Sequence, residues 1–277
     1  IRDVYRKFYG TIKKHTDLEV RLHYAMKTNS NKDILQLLQK EGAWIDAVSP
    51  EECKASLESC FRKEKILFTG TSVSNEDMRQ LVDMGLRINI DSLSQLKRLS
   101  KITTDAEISL RMDPGIAGAG HSWRTMTAGK ESHDVPIKFS IPENQIVEAA
   151  KLAKDCGFKV VGLHEHIGSG WRTSEEVDEF LQTVDIVLAK AKQISEFCDL
   201  EFINFGGGPG VRYQEYHPEF PLERYAKETC QRVNESGIDF KAICFEPGRY
   251  LVADAGLLLV EVVDVKALVL DVIDILN

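Results

Sequence analysis

His23-Tyr24-Ala25-Met26-Lys27-Thr28-Asn29 is a short apolar run that stops at a lysine and two polar, turn-forming residues. Followed backwards, it is the end of a strand that begins at Glu19. Followed forwards, it leads to Asn29 or Asn31 as the cap of a helix with Ile34, Leu35, Leu37 and Leu38 on its buried side and Gly42 as its stop. The same order of apolar run, polar turn and amphipathic helix recurs along the chain, and that recurrence decides the fold. Where parallel strands close into a barrel, a strand-end residue such as Lys27 points into the mouth. A lysine there is either a solvated charge or a group able to form a Schiff base.

Before Glu19, Val4, Phe8 and Ile12 mark one face of a helix over residues 2–15. Beyond Gly42, strands are predicted at 44–48, 65–69, 86–91, 107–113, 158–166, 201–205 and 240–245. Helices fall at 50–60, 75–84, 93–101, 142–156, 174–197 and 222–236. Ser49, Pro50 and Glu52 have the spacing of a capping box with proline at the first helical position. Residues 114–140 form a long loop rich in Gly, His, Thr and charge, a length that usually signals function. Short strands apolar on both faces indicate a (β/α)8 TIM barrel, with an open doubly wound sheet as the alternative that periodicity leaves open. Leu257 to Val265 breaks the rhythm and alternates like a strand of an antiparallel sheet.

The 277 residues suit one barrel of about 250 residues. A composition of 43% hydrophobic and 28% charged residues is that of a globular protein. The longest apolar runs fall far short of the roughly 20 residues that span a bilayer, so no membrane partner is expected. A net charge of -8 argues against a nucleic-acid partner, which calls for a basic face. Six scattered cysteines show no metal-ligand spacing and read as buried thiols of a cytoplasmic protein.

The predicted strand ends bring Lys27, Asp46, Ser49, Asp91, Arg111, His164, His166, Gly206, Gly207, Gly208, Glu246 and Arg249 to one mouth. Three glycines let backbone N–H groups approach an anion, and Arg249 adds a cation, so a phosphate site is expected. A lysine, a phosphate site and the carboxylate of Glu246 facing one space point to pyridoxal 5'-phosphate. The alternative for Glu246 is a helix N-cap or an ion pair with Arg249.

Tyr24-Ala25-Met26-Lys27-Thr28-Asn29 resembles the Y-A-V-K-A-N segment of the fold-type III PLP-dependent decarboxylases, which include the ornithine, arginine and diaminopimelate decarboxylases. Gly162-Leu163-His164-Glu165-His166-Ile167-Gly168-Ser169 is similar to their G-L-H-x-H-I-G-S. Phe205-Gly206-Gly207-Gly208 and Glu246-Pro247-Gly248-Arg249 resemble their G-G-G and E-P-G-R signatures. The resemblance implies a TIM barrel of the alanine racemase-like type. It makes Lys27 the Schiff-base lysine, puts His166 on the cofactor ring and Glu246 on the pyridine nitrogen. Ser169, Gly206, Gly207 and Gly208 would bind the phosphate, Arg249 would contact the phosphate or a substrate carboxylate, and Gly248, Asp46 and Arg111 would belong to the cofactor pocket. His164 is expected to face the barrel wall.

Gly120-His121, Thr127-Ala128-Gly129 and Lys138-Phe139-Ser140-Ile141 look more like the diaminopimelate enzymes than the ornithine ones, and suggest His121 and Arg249 as substrate contacts. The implied activity is α-decarboxylation of meso-diaminopimelate or a related basic amino acid by a cytoplasmic homodimer. A non-catalytic PLP binder and a racemase on the same fold are the alternatives. Residues 1–250 would be the cofactor-binding barrel and residues 251–277 the start of a truncated C-terminal β domain.

Overall fold

The computed structural model describes residues 1–116, 128 and 137–265. The expectations for Gly120, His121, Thr127, Gly129 and the tail from 266 lie outside these residues.

Helix α1 (Arg2–Lys13) precedes a repeating series of strands and helices. The strands are β1 (Glu19–Ala25), β2 (Trp44–Ala47), β3 (Ile66–Phe68), β4 (Arg87–Ile90), β5 (Glu107–Asp113), β6 (Ile141–Pro142), β7 (Lys159–Glu165), β8 (Phe202–Asn204) and β9 (Ala242–Phe245). The helices after α1 are α2 (Lys32–Lys40), α3 (Pro50–Glu58), α4 (Asn75–Asp83), α5 (Leu93–Leu99), α6 (Ile146–Asp155), α7 (Ser174–Ser195), α8 (Leu222–Glu235) and the single turn α9 (Arg249–Val252).

Every strand pairing among the described residues is parallel, and β9 pairs with β1 while β4 pairs with β5. The sheet therefore closes: β1-β2-β3-β4-β5-β7-β8-β9 is a (β/α)8 barrel, and β6 is a two-residue addition on the end of β5. Helix α1 packs on α8 and α9 through Phe8, whose ring lies 6.3 Å from Tyr225 on α8 and 5.4 Å from Tyr250 on α9.

Side chains alternate across each strand. Leu22, Tyr24, Ile203, Ile243 and Phe245 face outward into the main core beneath the helices. Val161, Phe202, Ala242 and Cys244 form a separate small cluster within the barrel. Above it, the interior turns polar. Asn89 and Thr69 are 3.4 Å apart, Ser109 donates to Asn89 at 2.9 Å, and His164, Asn204 and Glu246 follow on β7, β8 and the end of β9. The strands are thus apolar on the helix side and mixed on the inner side, a distinction that a short apolar run conceals.

Several local expectations change. Helix α6 begins at Ile146 rather than Pro142, because Ile141 and Pro142 pair with Met112 and Asp113 and hold the chain extended. Asn31, not Asn29, caps α2. Ser49 caps α3, but Glu52 reaches back to the N–H of Val48 instead of completing the box at Ser49. Residues 257–265 are not a strand, since no described strand offers them a partner, and Leu257, Leu259 and Val263 are exposed. The cysteines are not uniformly buried: Cys53, Cys230 and Cys244 are, whereas Cys60 is exposed. No described helix is long and apolar enough to cross a membrane.

Candidate active site

Lys27 follows β1 in a turn of 3-10 helix, Met26–Thr28, which aims its side chain into the barrel mouth. It lines a cavity of about 220 Å³ together with Thr28, His166, Ser169, Gly207, Gly208, Glu246, Gly248 and Arg249. Eight residues picked from strand ends, motifs and spacing, counting Lys27 and leaving Thr28 aside, therefore surround one space.

Lys27 Nζ donates to Asp46 Oδ2 at 2.5 Å. Asp46 is 1% exposed, and its Oδ1 has no hydrogen-bond partner among the described residues. Desolvation in the mouth disfavours the Lys27 ammonium, but Asp46 and Glu246 outweigh it and hold the lysine pKa above its ordinary value. Burial, reinforced by the Glu246 carboxylate, raises the Asp46 carboxyl against the pull of Lys27.

Glu246 stands at the end of β9. Burial by itself would raise its carboxyl, but His164, by charge and hydrogen bond, and then Lys27 hold it well below the usual carboxylate range. His164 does not face the barrel wall. It points inward, with Nε2 3.1 Å from Glu246 Oε2, because residues 162, 164 and 166 share one face of β7 and its extension.

His166 accepts the N–H of Gly207 on Nδ1 at 3.2 Å, which places its proton on Nε2. Burial, then the cations of Arg111 and Lys27, push its pKa down to about 3. It is an uncharged aromatic face at neutral pH.

The glycines act chiefly by leaving room. Gly206 has φ +62°, the left-handed region, and its N–H donates to Asn204 Oδ1 at 2.9 Å. A Cβ on Gly207 would lie 2.3 Å from the carbonyl oxygen of Glu246, and one on Gly208 would lie 2.4 Å from the Trp171 ring. Two of the three N–H groups are thus spent inside the protein, so the cradle is a close approach of backbone as much as a row of free donors. Gly207→Ala must push the end of β9 away from Lys27. We expect it to cost about 1–3 kcal/mol in urea unfolding and to weaken pyridoxal phosphate binding at least tenfold. Gly10→Ala on α1, where a Cβ meets nothing within 4 Å, should be neutral or stabilising.

Arg249 Nη1 donates to Tyr213 Oη at 2.9 Å. Arg111 is set back from the cavity, 3.3 Å from Asp91 Oδ1 and 4.8 Å over the Phe139 ring, with Nε unpartnered among the described residues. Asp91 also accepts the N–H of Ser140, tying the end of the long loop to the mouth. The residues that the motifs did not supply are Asn204, two before Gly206 on the inner face of β8, and Trp171 behind Gly208.

This site has the groups that pyridoxal phosphate requires: an amine, an uncharged aromatic face, an ionised carboxylate, and a cationic, sterically tight pocket for an anion. The fold and site define a barrel of the pyridoxal-dependent type. Residues 1–253 match the family described as "Pyridoxal-dependent decarboxylase, pyridoxal binding domain", and the chain belongs to that family.

Among its relatives, the diaminopimelate decarboxylase of Methanothermobacter thermautotrophicus is 36% identical over 273 residues, covering 96% of this chain and 61% of the relative. That of Pseudomonas fluorescens is 34% identical over 247 residues, covering 86% of this chain and 56% of the relative. The crystal structure of the Helicobacter pylori diaminopimelate decarboxylase complexed with L-lysine superposes with a TM-score of 0.80 at 29% identity, over 91% of this chain and 63% of that one. The chain thus spans about three fifths of the length of these proteins.

Proposed function

We propose that the protein is a PLP-dependent amino-acid α-decarboxylase acting on meso-diaminopimelate or a related basic amino acid. The observation that carries this reading is Lys27, ion-paired to a buried Asp46, in the same cavity as His166, Gly207, Gly208, Glu246 and Arg249. The similarity to diaminopimelate decarboxylases supports the substrate.

Lys27 would hold the cofactor aldehyde, His166 its ring face and Glu246 its ring nitrogen. Ser169, Gly206, Gly207, Gly208, Gly248 and Arg249 would surround the phosphate, with Asp46 and Arg111 as flanking groups. Bound pyridoxal phosphate supplies an electrophilic aldehyde and an electron-withdrawing ring that accepts the electron pair left by departing carbon dioxide. Lys27 must lose its proton before its nitrogen can attack a carbonyl carbon, and Asp46 Oδ2 is at hydrogen-bond distance to receive it. Glu246, ionised, keeps a proton on the group it faces. His166, uncharged, covers a ring face without competing for that proton. Arg249 would take phosphate or the substrate carboxylate, and His121 is proposed as a further substrate contact.

We also propose residues 1–250 as the cofactor-binding barrel, residues 251–277 as the lead into a second, β-rich unit, and a homodimer as the assembled enzyme.

Incubation with pyridoxal phosphate, reduction with borohydride and peptide mass mapping should place the cofactor on Lys27. The full-length gene product should then release carbon dioxide from meso-diaminopimelate faster than from lysine, ornithine or arginine. Absence of label at Lys27 refutes the cofactor assignment; label without carbon dioxide release from any of the four refutes the decarboxylase.

A further inference from the structure

The carboxylate of Glu246 is gripped from beneath. Asn204 Nδ2 donates to Oε1 at 2.8 Å, and His164 Nε2 is 3.1 Å from Oε2. The amide orientation of Asn204 is settled by its other end, because Oδ1 accepts the N–H of Gly206 at 2.9 Å and leaves only the NH2 group for Glu246. His164 is 0% exposed, and a bare Nε2 would set its lone pair against a carboxylate oxygen, so Nε2 carries the proton. Its Nδ1 has no hydrogen-bond partner among the described residues, so the bond to Glu246 is the interaction that orients the ring. Each carboxylate oxygen keeps a second lone pair free of these two bonds, and Glu246 lines the cavity.

We infer that His164, with Asn204, is a positioning residue that fixes the rotation of the Glu246 carboxylate and keeps it ionised for the group it faces. This rests on the proposed role of Glu246 toward the cofactor ring, but concerns the chain's own residues and can be tested without cofactor. The other titratable groups coupled to this carboxylate include Lys27, His23, His166 and Cys244, and Asp46 is raised by it in turn.

Nitrogen-15 NMR of the unaltered protein should show His164 protonated on Nε2. Carbon-13 NMR of glutamate-labelled protein, with Glu246→Gln to assign the signal, should show Glu246 titrating at least one pH unit higher in His164→Leu. His164→Gln, which returns a neutral donor, should show a smaller rise. In the cofactor-loaded enzyme, His164→Leu should lower kcat at least tenfold with KM changed less than threefold.

A bare Nε2 in the unaltered protein overturns the inference. So does a Glu246 titration in whichever variant folds that matches the unaltered protein. If the cofactor never attaches to Lys27 while Glu246 still shifts, the positioning stands and the functional reading fails.

Discussion

Lys27→Ala is expected to abolish covalent capture of pyridoxal phosphate and reduce decarboxylation to background while leaving the barrel folded. The side chain of Lys27 is 47% exposed, so its removal opens no internal void. What it does leave is Asp46, 1% exposed, with Oδ1 already unpartnered among the described residues and now without its cation. A desolvated carboxylate in that position takes up a proton, and its folded-state pKa rises further. The unfolded chain then sheds that proton at a lower pH than the folded one, so the variant loses stability relative to the unaltered protein once pH rises past the already raised pKa that Asp46 has beside Lys27. The gap should reach about 1–3 kcal/mol at pH 7 and narrow toward pH 4. Urea unfolding at both pH values measures it. Lys27→Arg separates the two roles: a guanidinium beside Asp46 should recover most of the stability and none of the covalent label. Covalent label in the alanine variant would show that another amine holds the cofactor.

Lys27, the three glycines and Glu246 to Arg249 were legible because a strand end is marked where an apolar run meets glycine, proline or charge. The chain also shows the period of its helices, so eight strand-then-helix units could be counted. Closure was not legible, because the pairings of β9 with β1 and of β4 with β5 depend on tilt and stagger that no local pattern records. His164 could have been placed correctly: it lies two residues before His166, and alternation puts both on the inner face. The expectation of a wall-facing histidine ignored that parity. Asn204 carries the same signal relative to Gly206. The alternation of Leu257 to Val265 was real as a pattern but insufficient, since a strand needs a partner and no described strand supplies one. Cys60 is exposed in the turn after α3, where it adopts φ +68°.

Glu165, between the two histidines, has the opposite parity and is turned outward beneath α7, where it is 0% exposed. Thr183 Oγ1 lies 3.0 Å from its Oε1 and 2.7 Å from the carbonyl of Phe180. A hydroxyl has one proton and the carbonyl can only accept. If Thr183 donates to Phe180, the proton in the other contact belongs to Glu165, which is then a neutral carboxylic acid. Burial, opposed by the Thr183 hydroxyl and reinforced by Asp113, pushes its pKa up to about 8. In the unfolded chain the carboxyl ionises near 4.5. Between those values the unfolded chain binds fewer protons than the folded one, so stability falls with rising pH by up to about 1.4 kcal/mol per unit. Below the unfolded value the penalty is absent, and above about 8 it is constant. Glu165→Gln keeps the shape and a donor for Thr183 but cannot ionise. It is therefore expected to match the unaltered protein near pH 4 and to exceed it by at least about 2 kcal/mol near pH 8, read from urea unfolding at the two pH values. The acid-side titrations of Asp46 and His23 are shared by both proteins and cancel in the difference. A difference that does not change with pH would mean that Glu165 is already ionised in the fold, with Thr183 turning its proton to the carboxylate.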